Sequence, residues 1–190
     1  MRRRSLPRPW ALAALCCLGL ALPSGCGSDG DETDTTPRQT GISLGLRSPA
    51  FAEGGRIPAR FTCDGENVSP PLTWNRVPIE ARSLAVVMQD PDAPGGAFTH
   101  WTLWDLSRRS VGLNADRVPD DALEGRNGFG TTGYSGPCPP EDDPAHRYLF
   151  RLYALNADLD LPAGASPGTV MEAITRHSIA SGTATGTYGR

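Results

Sequence analysis

Two aspartates and a histidine lie within one short segment of the chain, residues 90–101, which has the sequence DPDAPGGAFTHW. Asp90, Asp92 and His100 are residue types that transfer protons, bind metals or bind charged ligands. Two prolines in the segment restrict its backbone, so its side chains would be held in place before a ligand arrives. The segment is therefore a candidate wall of a catalytic, metal or ligand-binding site.

A second segment, residues 125–148, has similar chemistry and the sequence GRNGFGTTGYSGPCPPEDDPAHRY. Its five glycines allow backbone N–H groups to approach a ligand closely. Successive N–H groups in turns can form a concave anion-binding site. The segment ends on His146 and Tyr148, which supply further hydrogen-bond donors. We interpret it as a binding loop; the alternative is a long connection that needs turn residues.

Three apolar segments are predicted to be the strands that position these residues: 83–89, 100–106 and 146–155. The first is apolar on both faces, as a central strand is, and leads directly into the first aspartate. The second begins at His100 of the opening segment. Asp90 and His100 therefore emerge at the same end of the sheet if these two strands lie side by side. The third alternates, which places Tyr148 and His146 on the same face.

The fold is predicted to be mainly β, in a single domain over residues 41–190. Glycine and proline are frequent there and separate short apolar runs, which favours many short strands over a helical bundle. One helix is predicted after Ser166 and Pro167, a capping residue followed by a first-turn proline. Apolar residues at helical spacing follow, with His177 at the end of the same stripe.

The first 40 residues differ from the rest. Residues 1–25 have the layout of a secretory signal peptide: arginines, an apolar run, then small residues. Cys26 follows directly, as the lipidated cysteine of a bacterial lipoprotein does, although leucine lies four rather than three positions before it; an ordinary cleaved signal peptide is the alternative. Residues 26–40 are polar and acidic and are predicted to be a flexible tether. We therefore expect an exported protein, lipid-anchored to a membrane of the bacterial cell envelope.

The charge and the absence of lysine exclude several functions. The chain has a net charge of −3; without the four arginines of residues 1–25, 14 basic residues stand against 21 acidic ones. A nucleic-acid-binding surface needs a basic stripe, which this composition does not indicate. Schiff-base chemistry and a phosphate-binding lysine are excluded because the chain contains no lysine.

Two cysteines remain after position 26, at Cys63 and Cys138. In an exported protein they could form one disulfide. Two buried free thiols are the alternative, and the sequence leaves both open.

Several separated motifs resemble the phosphatidylethanolamine-binding protein family, in particular its bacterial Raf kinase inhibitor-like branch. They are DPDAP, then HW, then GYSGPCPPEDDPAHRYLFRLYAL, together with CDGENVSPPL from residue 63 and the terminal GTYGR. They occur in the family's order, and the resemblance extends from about residue 42 to residue 190.

The resemblance implies a β-sandwich with Greek-key topology and a few peripheral helices. It also implies a small surface pocket for anions such as phosphate, acetate or a phospholipid headgroup, with no metal or other cofactor. The positions that match the family's pocket are Asp90, Asp92, Pro94, His100, Gly136, Pro137, His146 and Tyr148. One departure is the acidic run at residues 141–145, where relatives commonly have a shorter glycine-bearing link.

An anion pocket with two aspartates requires a division of roles, because bare carboxylates repel phosphate. An aspartate can hold a histidine in position and favour its protonated form. His100, His146 and the Tyr148 hydroxyl would then donate to the anion. An aspartate could also accept from a headgroup ammonium. We therefore expect a ligand-binding domain and not an enzyme.

Three alternatives use the same residues or the same surface. Two histidines and a carboxylate could form a facial triad for a divalent metal. Cys138 near His146 could be the nucleophile of a hydrolase. The domain could also be a protease inhibitor or another protein-interaction module, with a partner that the sequence does not identify.

Overall fold

A six-stranded mixed sheet dominates residues 43–190, the part of the chain that the computed structural model describes. In chain order the elements are β1 (Gly55–Arg56), a 3-10 turn (Ala59–Phe61), β2 (Leu72–Thr73), β3 (Ser83–Asp90), β4 (Phe98–Ser107), β5 (Gly112–Leu113), β6 (Leu123–Glu124), β7 (His146–Leu155), α1 (Pro167–His177) and β8 (Ser178–Tyr188). The large sheet has the order β1-β8-β7-β3-β4-β6, and β2 pairs with β5 in a second, two-stranded sheet. The predicted mainly β class is confirmed, whereas the predictions for residues 1–25 and 26–40 lie outside the described residues.

Strand β3 is central, and its side chains are buried on both faces of the sheet. Leu84, Val86 and Met88 pack into the larger core, which includes residues of the small sheet. Ala85 and Val87 pack into a second core on the other face. Each large apolar side chain buried in this way stabilises the fold by about 1.5–3 kcal/mol, so two-sided burial fixes β3 firmly. The prediction of a central strand here is confirmed.

Helix α1 covers the second core, as its sequence predicts. The Ser166 hydroxyl accepts a hydrogen bond from the Thr169 N–H and caps the first turn. Val170 and Ile174 are fully buried against the sheet. His177 lies in the last turn, where its Nδ1 is 3.0 Å from Asn156 Oδ1. A hydrogen-bonded structural histidine explains this contact.

Strand pairing brings the candidate site residues to one end of the sheet. β3 runs antiparallel to both β4 and β7, so the end of β3 lies beside the starts of the other two. The register between β3 and β4 shifts: Met88 pairs with Trp101, but Gln89 pairs with Thr99. His100 is the extra residue at this irregularity. A bulge of this kind re-aims a side chain, so His100 can depart from the strict alternation of β4.

The described residues also have a limited helical content. No helix in residues 43–190 combines the length and the apolar character that crossing a membrane requires.

Candidate ligand-binding site

A cavity of about 150 Å³ lies where β3 ends and where β4 and β7 begin. Four side chains supply its polar groups: Asp90, His100, His146 and Tyr148. The remaining lining residues are Ala93, Pro94, Phe98, Phe129, Cys138, Pro139 and Pro140. A water molecule occupies about 30 Å³ of liquid, and drug-sized ligands need about 300 Å³ or more. The cavity therefore suits a ligand, or part of a ligand, with only a few heavy atoms.

Asp90 holds His146. Oδ2 of Asp90 lies 2.7 Å from Nδ1 of His146, and both side chains are almost fully buried. Oδ1 of Asp90 accepts a hydrogen bond from the Asp92 N–H at 2.8 Å. Both carboxylate oxygens therefore have protein partners. Because a carboxylate accepts, His146 donates from Nδ1, which leaves its Nε2 available to a ligand.

A backbone carbonyl holds His100. Its Nδ1 donates to the carbonyl oxygen of Ser135 at 2.8 Å, and the Ser135 N–H donates back to the His100 carbonyl at 3.1 Å. Burial lowers the pKa of His100, and this effect is opposed by the Ser135 carbonyl and the negative charge of Asp90. From the sequence, an aspartate was expected to favour a protonated histidine. The structure corrects this for His100, whose direct partner is a neutral carbonyl and whose burial favours the neutral ring.

Tyr148 lines the cavity from β7, and the Asp90 carboxylate lies near its hydroxyl. Tyr148 is fully buried, and its hydroxyl makes no hydrogen bond of good geometry within residues 43–190. Burial raises the pKa of this hydroxyl, as do the negative charge of Asp90 and a side-chain interaction with the same carboxylate, so the hydroxyl stays protonated. A buried donor without a well-placed acceptor is costly. A ligand oxygen in the cavity would supply an acceptor of better geometry.

Aromatic rings form one side of the cavity. Phe98 contacts His100 with ring centroids 5.0 Å apart, and Phe129 with centroids 4.6 Å apart. His100 also meets Tyr148 edge-on at 5.3 Å. Phe129 is 55 % exposed and stands at the rim. Phe98 and Phe129 were not predicted from the sequence; the available signal was an aromatic residue within each of the two binding segments.

Asn127 organises the glycine-rich loop and was also missed. Its side-chain amide donates to the Gly133 carbonyl and to the Ser135 hydroxyl, each at 3.0 Å. Its Oδ1 accepts from the Phe129 N–H at 3.0 Å. One buried side chain thus fixes both the residue that holds His100 and the aromatic residue at the rim. An asparagine among glycines was the only sequence signal.

Asp92, Gly136 and Pro137 were expected in the pocket but do not line it. The Asp92 carboxylate forms a two-pronged ion pair with Arg147, with contacts of 2.7 and 2.9 Å. Hydrogen bonds from the Arg147 side chain and backbone lower the pKa of Asp92 to about 2. Asp92 does not line the cavity. The structure thus corrects its expected role from ligand contact to loop anchor.

Gly136 and Pro137 likewise do not line the cavity. The Gly136 N–H donates to Asn67 Oδ1 at 2.7 Å, and a side chain at this position would collide with the Phe61 carbonyl oxygen. The Pro137 carbonyl accepts from the Cys63 N–H at 3.0 Å. Close backbone packing, rather than ligand contact, explains these two residues.

The structure joins Cys63 to Cys138 in a disulfide, which connects the segment after the 3-10 turn to the cavity wall. Of the two alternatives that the sequence left open, the structure shows the disulfide.

The residues of the proposed metal triad have other partners. Asp90 is bound to His146, and His100 to Ser135. Within residues 43–190, no group of three or more His, Cys, Asp or Glu side chains is arranged to hold a metal ion.

Comparison with known proteins places the chain in a family. The family model described as phosphatidylethanolamine-binding protein matches residues 47–189. A UPF0098 protein of Methanothermobacter thermautotrophicus is 49% identical over 152 residues, which cover 77% of this chain and 99% of the relative. A Mycobacterium tuberculosis protein named "Putative lipoprotein LppC" is 36% identical over 191 residues, which cover 92% of this chain and 94% of that protein.

A solved structure agrees with the sequence relatives. Escherichia coli YbcL, described as a new member of the mammalian PEBP family, has a TM-score of 0.75 and 31% identity. The match covers 78% of this chain and 99% of YbcL. The chain therefore belongs to the phosphatidylethanolamine-binding protein family.

Proposed function

We propose that the chain binds a small anion or the phosphorylated headgroup of a larger molecule in this cavity, and that it is a binding domain rather than an enzyme. The observation that carries the proposal is a set of buried donors at one small cavity: two histidines and the Tyr148 hydroxyl, which makes no hydrogen bond of good geometry in the described residues. Each histidine uses Nδ1 on a protein acceptor. We expect Nε2 of each ring and the tyrosine hydroxyl to donate to one ligand with only a few heavy atoms.

Asp90 is compatible with an anionic ligand because it already has partners. Its two oxygens accept from His146 and from the Asp92 backbone, so it acts as a support for the histidine. An anion beside His100 favours the charged form of this ring and raises its pKa. Binding should therefore be coupled to the uptake of a proton, with the His100 imidazolium donating from Nε2.

The candidate nucleophile of the hydrolase alternative is occupied. Cys138 is bonded to Cys63, and a disulfide sulfur is not a thiolate nucleophile. Ser135 binds His100 through its backbone, and its hydroxyl accepts from Asn127. Neither residue is paired with a general base, which supports binding over catalysis.

We further propose that the mature protein is exported and held in the cell envelope by a lipid on Cys26, with residues 26–40 as the tether. The arginines, the apolar run and the cysteine of the N-terminal sequence support this proposal. The name of the mycobacterial relative LppC is in accord with it.

The affinity for sulfate is expected to rise as the pH falls from about 8 to about 5. Sulfate keeps its charge over this range, so the change reports on the protein. The pKa of His100 is lowered by burial in the free protein and is raised by a bound anion. At a pH between these two pKa values, binding is accompanied by proton uptake, and the affinity rises as the pH falls. Below the lower pKa value, His100 is already protonated in the free protein, and the affinity no longer rises. Calorimetric titration in buffers of different ionisation heat measures both affinity and proton uptake.

His177→Ala is the matched control, since this histidine lies in α1 and contacts Asn156 instead of the cavity. The variant should keep the pH dependence of the wild type. Sulfate affinity that is the same at all pH values, or an absence of saturable binding throughout, would contradict the proposed function.

A further inference from the structure

One aspartate of the acidic run faces a site histidine. Oδ2 of Asp143 lies 3.6 Å from Nε2 of His146. This distance is too long for a hydrogen bond but short for an interaction between charges. Its neighbours differ: Glu141 pairs with Arg190 at 2.8 Å, and Asp142 is exposed. The three acids of the run therefore differ in position, because only Asp143 lies beside His146.

Asp143 stands next to the ring atom that a ligand would use. Nδ1 of His146 is bound to Asp90, so a ligand that hydrogen-bonds this ring must approach Nε2. There it meets the carboxylate of Asp143. A simple anion is repelled by this carboxylate, whereas a positive charge carried next to the anion is attracted to it.

The surface beyond His146 has room for such a charge. A groove of about 460 Å³ lies there, lined by Asp92, Asp143, Pro144, Ala145, His146 and Arg147. The guanidinium of Arg147 is already paired with Asp92. Among the described residues, His146 is the only ion-pair partner of Asp143. The groove thus retains one uncompensated negative charge beside the cavity whenever His146 is neutral.

We propose that Asp143 determines the specificity of the site: it makes the cavity prefer an anion that carries a positive charge nearby over a simple anion. This inference rests on the proposed function and adds to it a residue outside the cavity that selects by charge. The ligand class it favours is zwitterionic, with the phosphate in the cavity and the cation in the groove.

Asp143→Asn tests the inference, with Asp142→Asn as the matched control. Both variants lose one negative charge from adjacent positions, but only Asp143 contacts His146. Inorganic phosphate and phosphoethanolamine are titrated into each purified protein by calorimetry. In Asp143→Asn, phosphate should bind about fivefold more tightly, and the preference for phosphoethanolamine should fall by at least that factor. In Asp142→Asn, the ratio of the two affinities should stay at the wild-type value.

Each outcome has a distinct meaning. An unchanged affinity ratio in Asp143→Asn, with both ligands still bound, overturns this inference and leaves the proposed function intact. An equal change in the two variants assigns the effect to net charge and also overturns it. An absence of binding in all three proteins overturns the proposed function, and the inference with it. Melting temperatures of the three proteins check that the substitutions leave the fold unchanged.

Discussion

Replacing His100 or Asp90 by alanine is expected to weaken the binding of phosphate and of phosphoethanolamine by roughly 10- to 100-fold while the fold survives. His100→Ala removes a ring that Ser135 holds at the cavity wall. Asp90→Ala removes the acceptor that orients His146. A hydrogen bond to a charged group contributes about 1.5–3 kcal/mol, so each loss lowers affinity roughly 10- to 100-fold. Calorimetric titration measures the effect.

Asp92→Ala is the control for Asp90→Ala. It removes the same charge two residues away and breaks the ion pair with Arg147, but its side chain does not line the cavity. Binding of inorganic phosphate should persist in this variant; the comparison uses phosphate alone because Asp92 lines the groove beside the cavity. If His100→Ala and Asp90→Ala both bound the ligands with wild-type affinity, the assignment of the cavity would be wrong.

Replacing Cys63 and Cys138 together by serine is expected to lower the free energy of unfolding by about 4 kcal/mol. The two cysteines are 75 residues apart, so their bond removes much conformational freedom from the unfolded chain. This is a large fraction of the stability of a typical domain. Unfolding by denaturant, followed at equilibrium, measures the difference.

Reduction of the wild-type protein provides the control. A strong thiol reductant should shift the unfolding midpoint of the wild type toward that of the double variant and should leave the double variant unchanged. A double variant as stable as the oxidised wild type would show that the disulfide does not stabilise the fold.

The sequence predicted the strands that bury large side chains. β3 and β7 are rich in Val, Leu, Phe and Tyr, and the structure has them close to the predicted bounds. β8 was not predicted, because four of its five buried positions hold alanine or glycine. Gly182 and Gly186 lie where a side chain would collide with Leu44 and Ile57. The hydrophobicity pattern does not reveal a strand whose small buried residues allow neighbouring segments to pack closely against it.

The candidate site was predicted in part. Five of the eight expected pocket residues line the cavity: Asp90, Pro94, His100, His146 and Tyr148. Their identification depended on motifs and on strand parity, both of which are local. The partner of each side chain is not local. Asp92 binds Arg147, 55 residues away, and His100 binds Ser135, 35 residues away, so their roles required the three-dimensional fold.

The state of the histidines was the least predictable property. His100 and His146 look alike in the sequence, yet one donates to a carbonyl and the other to a carboxylate. His100 lies at the shift of register between β3 and β4, and its burial lowers its pKa. Nothing in the local sequence marks this irregularity.

A crystal structure of the chain with phosphoethanolamine at saturating concentration would locate the ligand. We expect the phosphate group inside the cavity, within hydrogen-bond distance of Nε2 of His100, Nε2 of His146 and the Tyr148 hydroxyl. A ligand bound elsewhere on the molecule, with only water in the cavity, would contradict this expectation.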